Sequence, residues 1–208
     1  MLETSTYYHI YNHANGDDNL FREQRNYPFF LSKYHQHIDP IAETIAWCLM
    51  PNHFHLLVRI KDVAALEQDF PKFKTLENLD NEEKQQQLSY LLSKQFSNLF
   101  SAYSQSFNKV YQRRGSLFLK NFKRKKVDSQ DYLYQLILYI HLNPIKHGFT
   151  HQLYDWKWSS VHGFDILQTS LFKELFGTAE NYTRAHEEKA DDFKEYHLIE
   201  SQILSTSS

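Results

Sequence analysis

Two apolar, β-prone runs, Ile41 to Met50 and His53 to Ile60, are separated only by Pro51 and Asn52. A Pro-Asn pair between such runs marks a tight turn, so the two segments read as the arms of one hairpin. Side chains on a strand alternate between faces, which sends His53 and His55 one way and Phe54 the other. Two imidazoles side by side on a stiff strand make half of a metal site, because neutral imidazole is the commonest side-chain metal ligand. A pair of half-buried sheet histidines has the same local pattern, so the wider context has to decide.

At 208 residues the chain has room for one domain with a sizeable core and an appendage. Its single cysteine, Cys48, lies inside the first hairpin arm. One thiol gives neither a disulfide framework nor a thiolate zinc site and fits a reducing compartment. Residues 1 to 6 carry no charged region followed by an apolar block, and no run approaches membrane-spanning length. A soluble, cytoplasmic protein is the expectation.

The net charge of −2 conceals an uneven distribution. Between Lys109 and Lys126 stand Lys109, Arg113, Arg114, Lys120, Lys123, Arg124, Lys125 and Lys126 with no acidic residue among them. Such a block is a footprint for a polyanion, since each cation that neutralises a phosphate releases condensed counterions. Past residue 180 the balance reverses at Glu187, Glu188, Asp191, Asp192 and Glu195.

Taken in order, Tyr7 to His13 is aromatic and β-prone and stops at the turn cluster Asn15 to Asn19, giving a first strand. Phe29, Phe30, Tyr34 and Ile38 recur at helical spacing until Asp39-Pro40, giving a first helix from Arg25 to Ile38. The hairpin follows, then a polar excursion from Lys61 to Glu83 with no regular pattern. Leu88 to Val110 carries apolar residues at spacings of three and four and reads as a long amphipathic helix. Ser116 to Lys123 reads as a fourth strand or extended segment, and Tyr132 to Leu142 as a helix that Asn143-Pro144 halts. The order strand, helix, strand, strand, helix, strand predicts an α+β fold: a ferredoxin-like antiparallel sheet with helices on one face. In that topology the first and third strands are central neighbours, so His53 and His55 lie mid-sheet. A further helix and a polar helical tail follow, which divides the chain into a domain over 1–163 and an extension over 164–208.

On the appended helix Tyr139 and Asn143 are four residues apart and share a face. Met-Pro-Asn-His-Phe-His-Leu-Leu-Val at 50–58, with Tyr-Ile-His-Leu-Asn-Pro-Ile-Lys-His-Gly-Phe at 139–149, resembles the single-tyrosine HUH transposases. The closer group is the REP-associated tyrosine transposases and their insertion-sequence relatives. Tyr8-His9-Ile10 and Asp155 to Ser160 resemble further family stretches, and the likeness covers roughly residues 7 to 162. The resemblance implies that His53 and His55 bind a divalent ion, Mg²⁺ or Mn²⁺, that Asn143 helps to hold it, and that Tyr139 is the nucleophile. It implies cleavage and rejoining of single-stranded DNA beside hairpins through a 5′-phosphotyrosine link, in DNA transposition near the nucleoid, by a monomer or homodimer.

Phosphate contacts are expected from Arg113, Arg114, Lys120, Lys123, Arg124, Lys125 and Lys126, with Phe122 and tyrosines able to stack on unpaired bases. His9 and His13 share a face of the first strand, and His141 lies on a different helix face from Tyr139. Two other expectations from the same scaffold are a host-retained protein that binds hairpin DNA without cutting it and a binder of hairpin RNA.

Overall fold

The computed structural model describes residues 1–69, 73, 80–163 and 169–191. They form β1 (Tyr7–His13), α1 (Asn26–Ile38), β2 (Ala42–Leu49), β3 (His53–Ile60), α2 (Val63–Asp69), α3 (Asn81–Val110), β4 (Lys123–Val127), α4 (Gln130–Lys146), α5 (Ser170–Phe176) and a helix, α6, over 179–191. Contacts divide the chain into two compact units. The first is Met1–Ile45 with Leu49–Val127; the second is Ala46–Cys48 with the chain from Asp128 on. No helix among the described residues is long and apolar enough to cross a membrane.

The sheet runs in the order β2-β3-β1-β4, and β1 is antiparallel to both β3 and β4. This is the predicted ferredoxin-like order with β1 and β3 in the middle. Register follows from the alternation. Ile10 pairs with Leu56, and Asn12 with Phe54, on one face; Tyr11 pairs with His55, and His13 with His53, on the other. On the first face the Phe54 ring meets Phe30 of α1 and Phe100 of α3, each at 5.5 Å between centroids. Both helices therefore pack on the same side. Tyr103 of α3 is buried in this core and donates its hydroxyl to the Leu20 carbonyl at 2.5 Å. That bond satisfies the one polar atom of a side chain otherwise stacked among Phe21, Phe30 and Phe118.

Four segments depart from the reading of the sequence. The excursion after β3 holds a seven-residue helix, α2, which buries Leu66, and Phe73 beyond it is buried as well. The rest of that excursion, including Pro71, lies outside the described residues. Helix α3 begins at Asn81, not Leu88, because Asp80 caps it by accepting from the Glu83 N–H at 2.8 Å while Glu82 and Glu83 sit in its first turn. Those first residues are good helix formers with no apolar stripe, so periodicity misses them.

The regular fourth strand is Lys123–Val127. Ser116 to Asn121 is an irregular segment held by a bridge from Phe118 to Ala14 and by the Leu119 N–H on the His13 carbonyl. Finally, Pro144 does not stop α4, which runs two residues further to Lys146. A proline costs most where it removes an interior bond, and here it lies in the final turn. The end is made by Gly148, whose φ of +69° lets its N–H reach the Ile145 carbonyl and the Phe149 N–H reach that of Pro144.

Phe54 joins the sheet to both helices of the first unit. Phe54→Ala should therefore lower unfolding free energy by about 3–5 kcal/mol in urea denaturation, whereas Leu119→Ala, at an exposed position, should cost less than about 0.5 kcal/mol.

Candidate active site and basic surface

The face of the sheet opposite Phe54 carries His53 and His55 from β3 beside His9, Tyr11 and His13 from β1. Lys123 and Lys125 of β4 are in register with Tyr11 and His9, so they belong to the same face. The His53 and His55 rings stand 5.2 Å apart between centroids at 79° to each other, and both are buried, at 3% and 5% exposure. His13 stacks on His53 at 4.7 Å.

The inner nitrogens of the pair are already engaged. His53 Nδ1 lies 2.8 Å from Asn52 Oδ1, and His55 Nδ1 lies 2.9 Å from His9 Nε2. Burial, and then the nearby Lys125 ammonium, push His9 down to about 4, so its imidazole is neutral at ordinary pH. A neutral His9 protonated on Nδ1 accepts at Nε2, and an amide oxygen only accepts. His53 then carries its proton on Nδ1 and its in-plane lone pair on Nε2, and His55 does so in the tautomer in which His9 is protonated on Nδ1. Metal-bound histidines are oriented in this way, by a partner on the second ring nitrogen. The donor set therefore fits a cation at the Nε2 atoms. Among the described residues no group of three His, Cys, Asp or Glu side chains is placed to hold a metal, so further donors would be of other kinds. The orienting role of His9 escapes a sequence reading, because it depends on the β1–β3 register and on burial.

In the second unit, Tyr139 is half-buried and Asn143 fully buried on α4, one helical turn apart. Lys146 continues that face, and its ammonium sits 4.9 Å from the centre of the Tyr139 ring. This cation was not among the expected residues, although the spacing 139, 143, 146 carries it.

His141 does something different. Its Nε2 lies 2.9 Å from Ser160 Oγ, which accepts from the Trp47 N–H at 2.8 Å. Its Nδ1 lies 3.0 Å from His186 Nε2 and 2.9 Å from the Tyr182 hydroxyl, and His186 Nδ1 reaches the Tyr182 carbonyl at 2.8 Å. One neutral arrangement links the two histidines: His141 donates from Nδ1 to His186 Nε2 and His186 from Nδ1 to the carbonyl, while the Ser160 hydroxyl lies within reach of both His141 Nε2 and the Trp47 carbonyl. An added proton would place a donor against a donor. Burial holds His141 well below its usual value, with the His186 charge as a smaller cause, and burial pushes His186 down to about 4. The network ties α4 to α6, so a described part of the C-terminal extension braces the helix that carries Tyr139. His186 carries no motif that would have marked it.

The basic residues are divided among several places. Arg113 is turned inward, bonding Asp18 at 2.5 Å and the Ser116 carbonyl at 2.8 Å. Desolvation opposes ionisation of Asp18, but bonds from Arg22 and Arg113 outweigh it and hold the carboxyl below its usual range. Lys126 pairs with Glu3 at 2.6 Å. Arg124 donates to Ser93 Oγ at 3.2 Å. Arg114, Lys120 and Lys123 are exposed and form no ion pair among the described residues.

No family model matches the chain. It is similar to a Haemophilus influenzae protein named "Putative REP-associated tyrosine transposase", with 29% identity over 136 residues that cover 64% of this chain and 67% of that one. A solved structure, "Structure of the REP associates tyrosine transposase bound to a REP hairpin", aligns at a TM-score of 0.49 and 17% identity over 78% of this chain and 80% of that one. A likeness at that level decides neither ligand nor chemistry. The curated relative carries the name of the group that the paired motifs at 50–58 and 139–149 resemble.

A buried base held neutral stabilises the fold fully above its unfolded value and loses that contribution as pH falls toward the folded one. For His186 the window is pH 6.5 to about 4, and the ceiling is roughly 3 kcal/mol at 1.36 kcal/mol per pK unit. Urea midpoints measured across this range should fall on acidification. His186→Gln should be less stable at pH 7 but show a shallower fall; an unchanged slope would place the acid sensitivity elsewhere.

Proposed function

We propose that this chain cleaves and rejoins single-stranded DNA beside hairpins, with Tyr139 as nucleophile and His53, His55 and Asn143 as holders of a divalent cation. The observation that carries this reading is the histidine pair on a central strand, each ring pinned at Nδ1 so that Nε2 is the ligating atom. The donor chemistry suits Mg²⁺ or Mn²⁺ once an amide oxygen, water and substrate phosphate complete the shell. When bound, such an ion would neutralise charge building on the scissile phosphate.

The remaining steps belong to the chain's own residues. Asn52 and His9 hold the two imidazoles in orientation and tautomer. The Tyr139 phenol gives up its proton and its oxygen attacks phosphorus. An O–P bond to tyrosine forms as the P–O3′ bond breaks, and the departing 3′ oxygen takes up a proton. One phosphoester replaces another, so a second 3′ hydroxyl can reverse the step on a different strand without an outside energy source. The Lys146 ammonium, 4.9 Å from the centre of the phenol ring, places a cation beside the nucleophile. Arg114, Lys120, Lys123, Arg124, Lys125 and Lys126 would take phosphates, while Arg113 acts through the loop that it holds to Asp18. The protein would work on DNA in the cytoplasm.

Incubated with Mn²⁺ and a labelled hairpin-bearing single strand, the protein should form a denaturant-resistant adduct that Tyr139→Phe abolishes. An adduct that persists in that variant would move the nucleophile elsewhere. Hairpin binding with no adduct under any divalent ion would support the non-cleaving reading. His53→Ala and His55→Ala should each abolish the adduct while keeping the circular dichroism of the fold. His9→Ala should instead raise the Mn²⁺ concentration needed for half-maximal adduct by about 10–100-fold, because it removes an orienting partner and not a ligand.

A further inference from the structure

The basic run divides between the two faces of the sheet at β4. Lys125 alternates toward the histidines, while Arg124 and Lys126, in register with Ile10 and Tyr8, lie on the helix face, and Lys123, where the strand begins, borders both. On that helix side a groove of about 780 Å³ runs between α3 and the segment 116–124. One rim carries Lys120, Lys123 and Arg124, and no carboxylate is among the residues that line the groove. The first two cations have no ion pair among the described residues, so their charge is available to an incoming anion.

Phe122 forms part of the wall, packed 5.5 Å from both Phe96 and Phe100 of α3. The Arg124 guanidinium lies 5.7 Å from its centre. Asn121, just before it, adopts a left-handed φ of +64°, which asparagine accepts more readily than most residues. The opposite wall presents Ser93, Ser97, Ser101 and Ser104, one face of α3. They span about 16 Å at 1.5 Å per residue. That is the axial length of roughly four to five nucleotides of a duplex strand at 3.4 Å each. Serine is a weaker helix former than alanine, and none of the four is buried, so neither helix propensity nor core packing accounts for them.

We propose that this groove is a track for the sugar-phosphate backbone of the single-stranded DNA arm flanking the hairpin. The arm crosses the β4 edge from the histidine face to the helix face. Lys120, Lys123 and Arg124 take phosphates, the hydroxyls of Ser93, Ser101 and Ser104 donate to them, and Phe122 stacks a base. The proposal rests on the reading that this chain binds DNA, and it adds a second surface on the far side of the sheet from the histidines.

The test is fluorescence anisotropy in EDTA, with a labelled hairpin carrying a 5′ single-stranded arm and the same hairpin without it. Lys120→Ala with Arg124→Ala should weaken binding of the armed hairpin about tenfold or more and lower its salt slope by about two. Phe122→Leu should weaken it about 5- to 100-fold. Both should change the bare hairpin far less, and Lys33→Ala on α1 should change neither. Ser97 is exposed and Cys48 buried, so a photo-crosslinker attached to Ser97→Cys reports from the groove alone and should join to the arm. Wild-type affinity for the armed hairpin in the groove variants, or no crosslink to the arm, overturns the track while leaving the Tyr139 adduct untouched. Failure of the wild-type protein to bind either DNA overturns the track and the DNA reading together.

Discussion

The antiparallel register between β1 and β3 is the constraint on which the first unit depends. Because side chains on a strand repeat every two residues, setting Tyr11 opposite His55 also sets Asn12 opposite Phe54. One pairing therefore decides two things at once. It sends Phe54 into the ring cluster with α1 and α3, and it gathers five histidine and tyrosine side chains on the reverse face. A slip of one residue would exchange the faces, burying imidazoles among phenylalanines and exposing the core. The apolar face therefore specifies the polar one, and the stiffness of the histidine pair derives from a core it does not touch.

The second unit solves a different problem with similar means. Helix α4 is rich in apolar residues, and buried polar groups on it must find partners in a dry setting. His141 does so through Ser160, Tyr182 and His186, partners drawn from two stretches of chain outside α4. A network of this kind is stable only when every member has a partner and none is charged. It thus specifies the placement of α6 against α4 more narrowly than apolar contact alone would. The polar appearance of the tail in the sequence hides this, since its acidic residues dominate the composition while Tyr182 and His186 are turned inward.

What could be read beforehand follows from how each feature is encoded. The strands β1 and β3 were legible to the residue because aromatic and β-branched alternation ends at strong turn signals. The first turns of α3 were not, because they depend on the Asp80 cap and on helix-forming polar residues with no stripe. The passage of α4 through Pro144 turns on where in the helix the proline falls, which a two-residue signal does not state. The pair His53 and His55 stood out through local spacing, and Tyr139 with Asn143 through helical spacing. The partners that orient them do not: His9 reaches His55 only through a register 46 residues away in sequence, and a lysine in the last turn of a helix is common enough to carry no signal of its own. The basic run was plain as a run, but its division into an inward Arg113, a paired Lys126 and a groove-lining group depends on loop geometry and strand alternation.

The placement of the lysines has a physical consequence for the histidines. A site built from neutral imidazoles is vulnerable to protonation, and a carboxylate in the β4 register position would stabilise the charged form of His9 and reverse its hydrogen bond to His55. Lysine at that position acts in the other direction. Burial is the larger cause of the lowered His9 value, and the Lys125 charge adds to it. The same register sets the Lys125 ammonium on the face where the histidines lie, so one residue bears on both their protonation state and the charge of that face. Strand alternation then carries Arg124 to the opposite side without a second basic segment. Five residues of edge strand thus carry cations to both faces of the sheet.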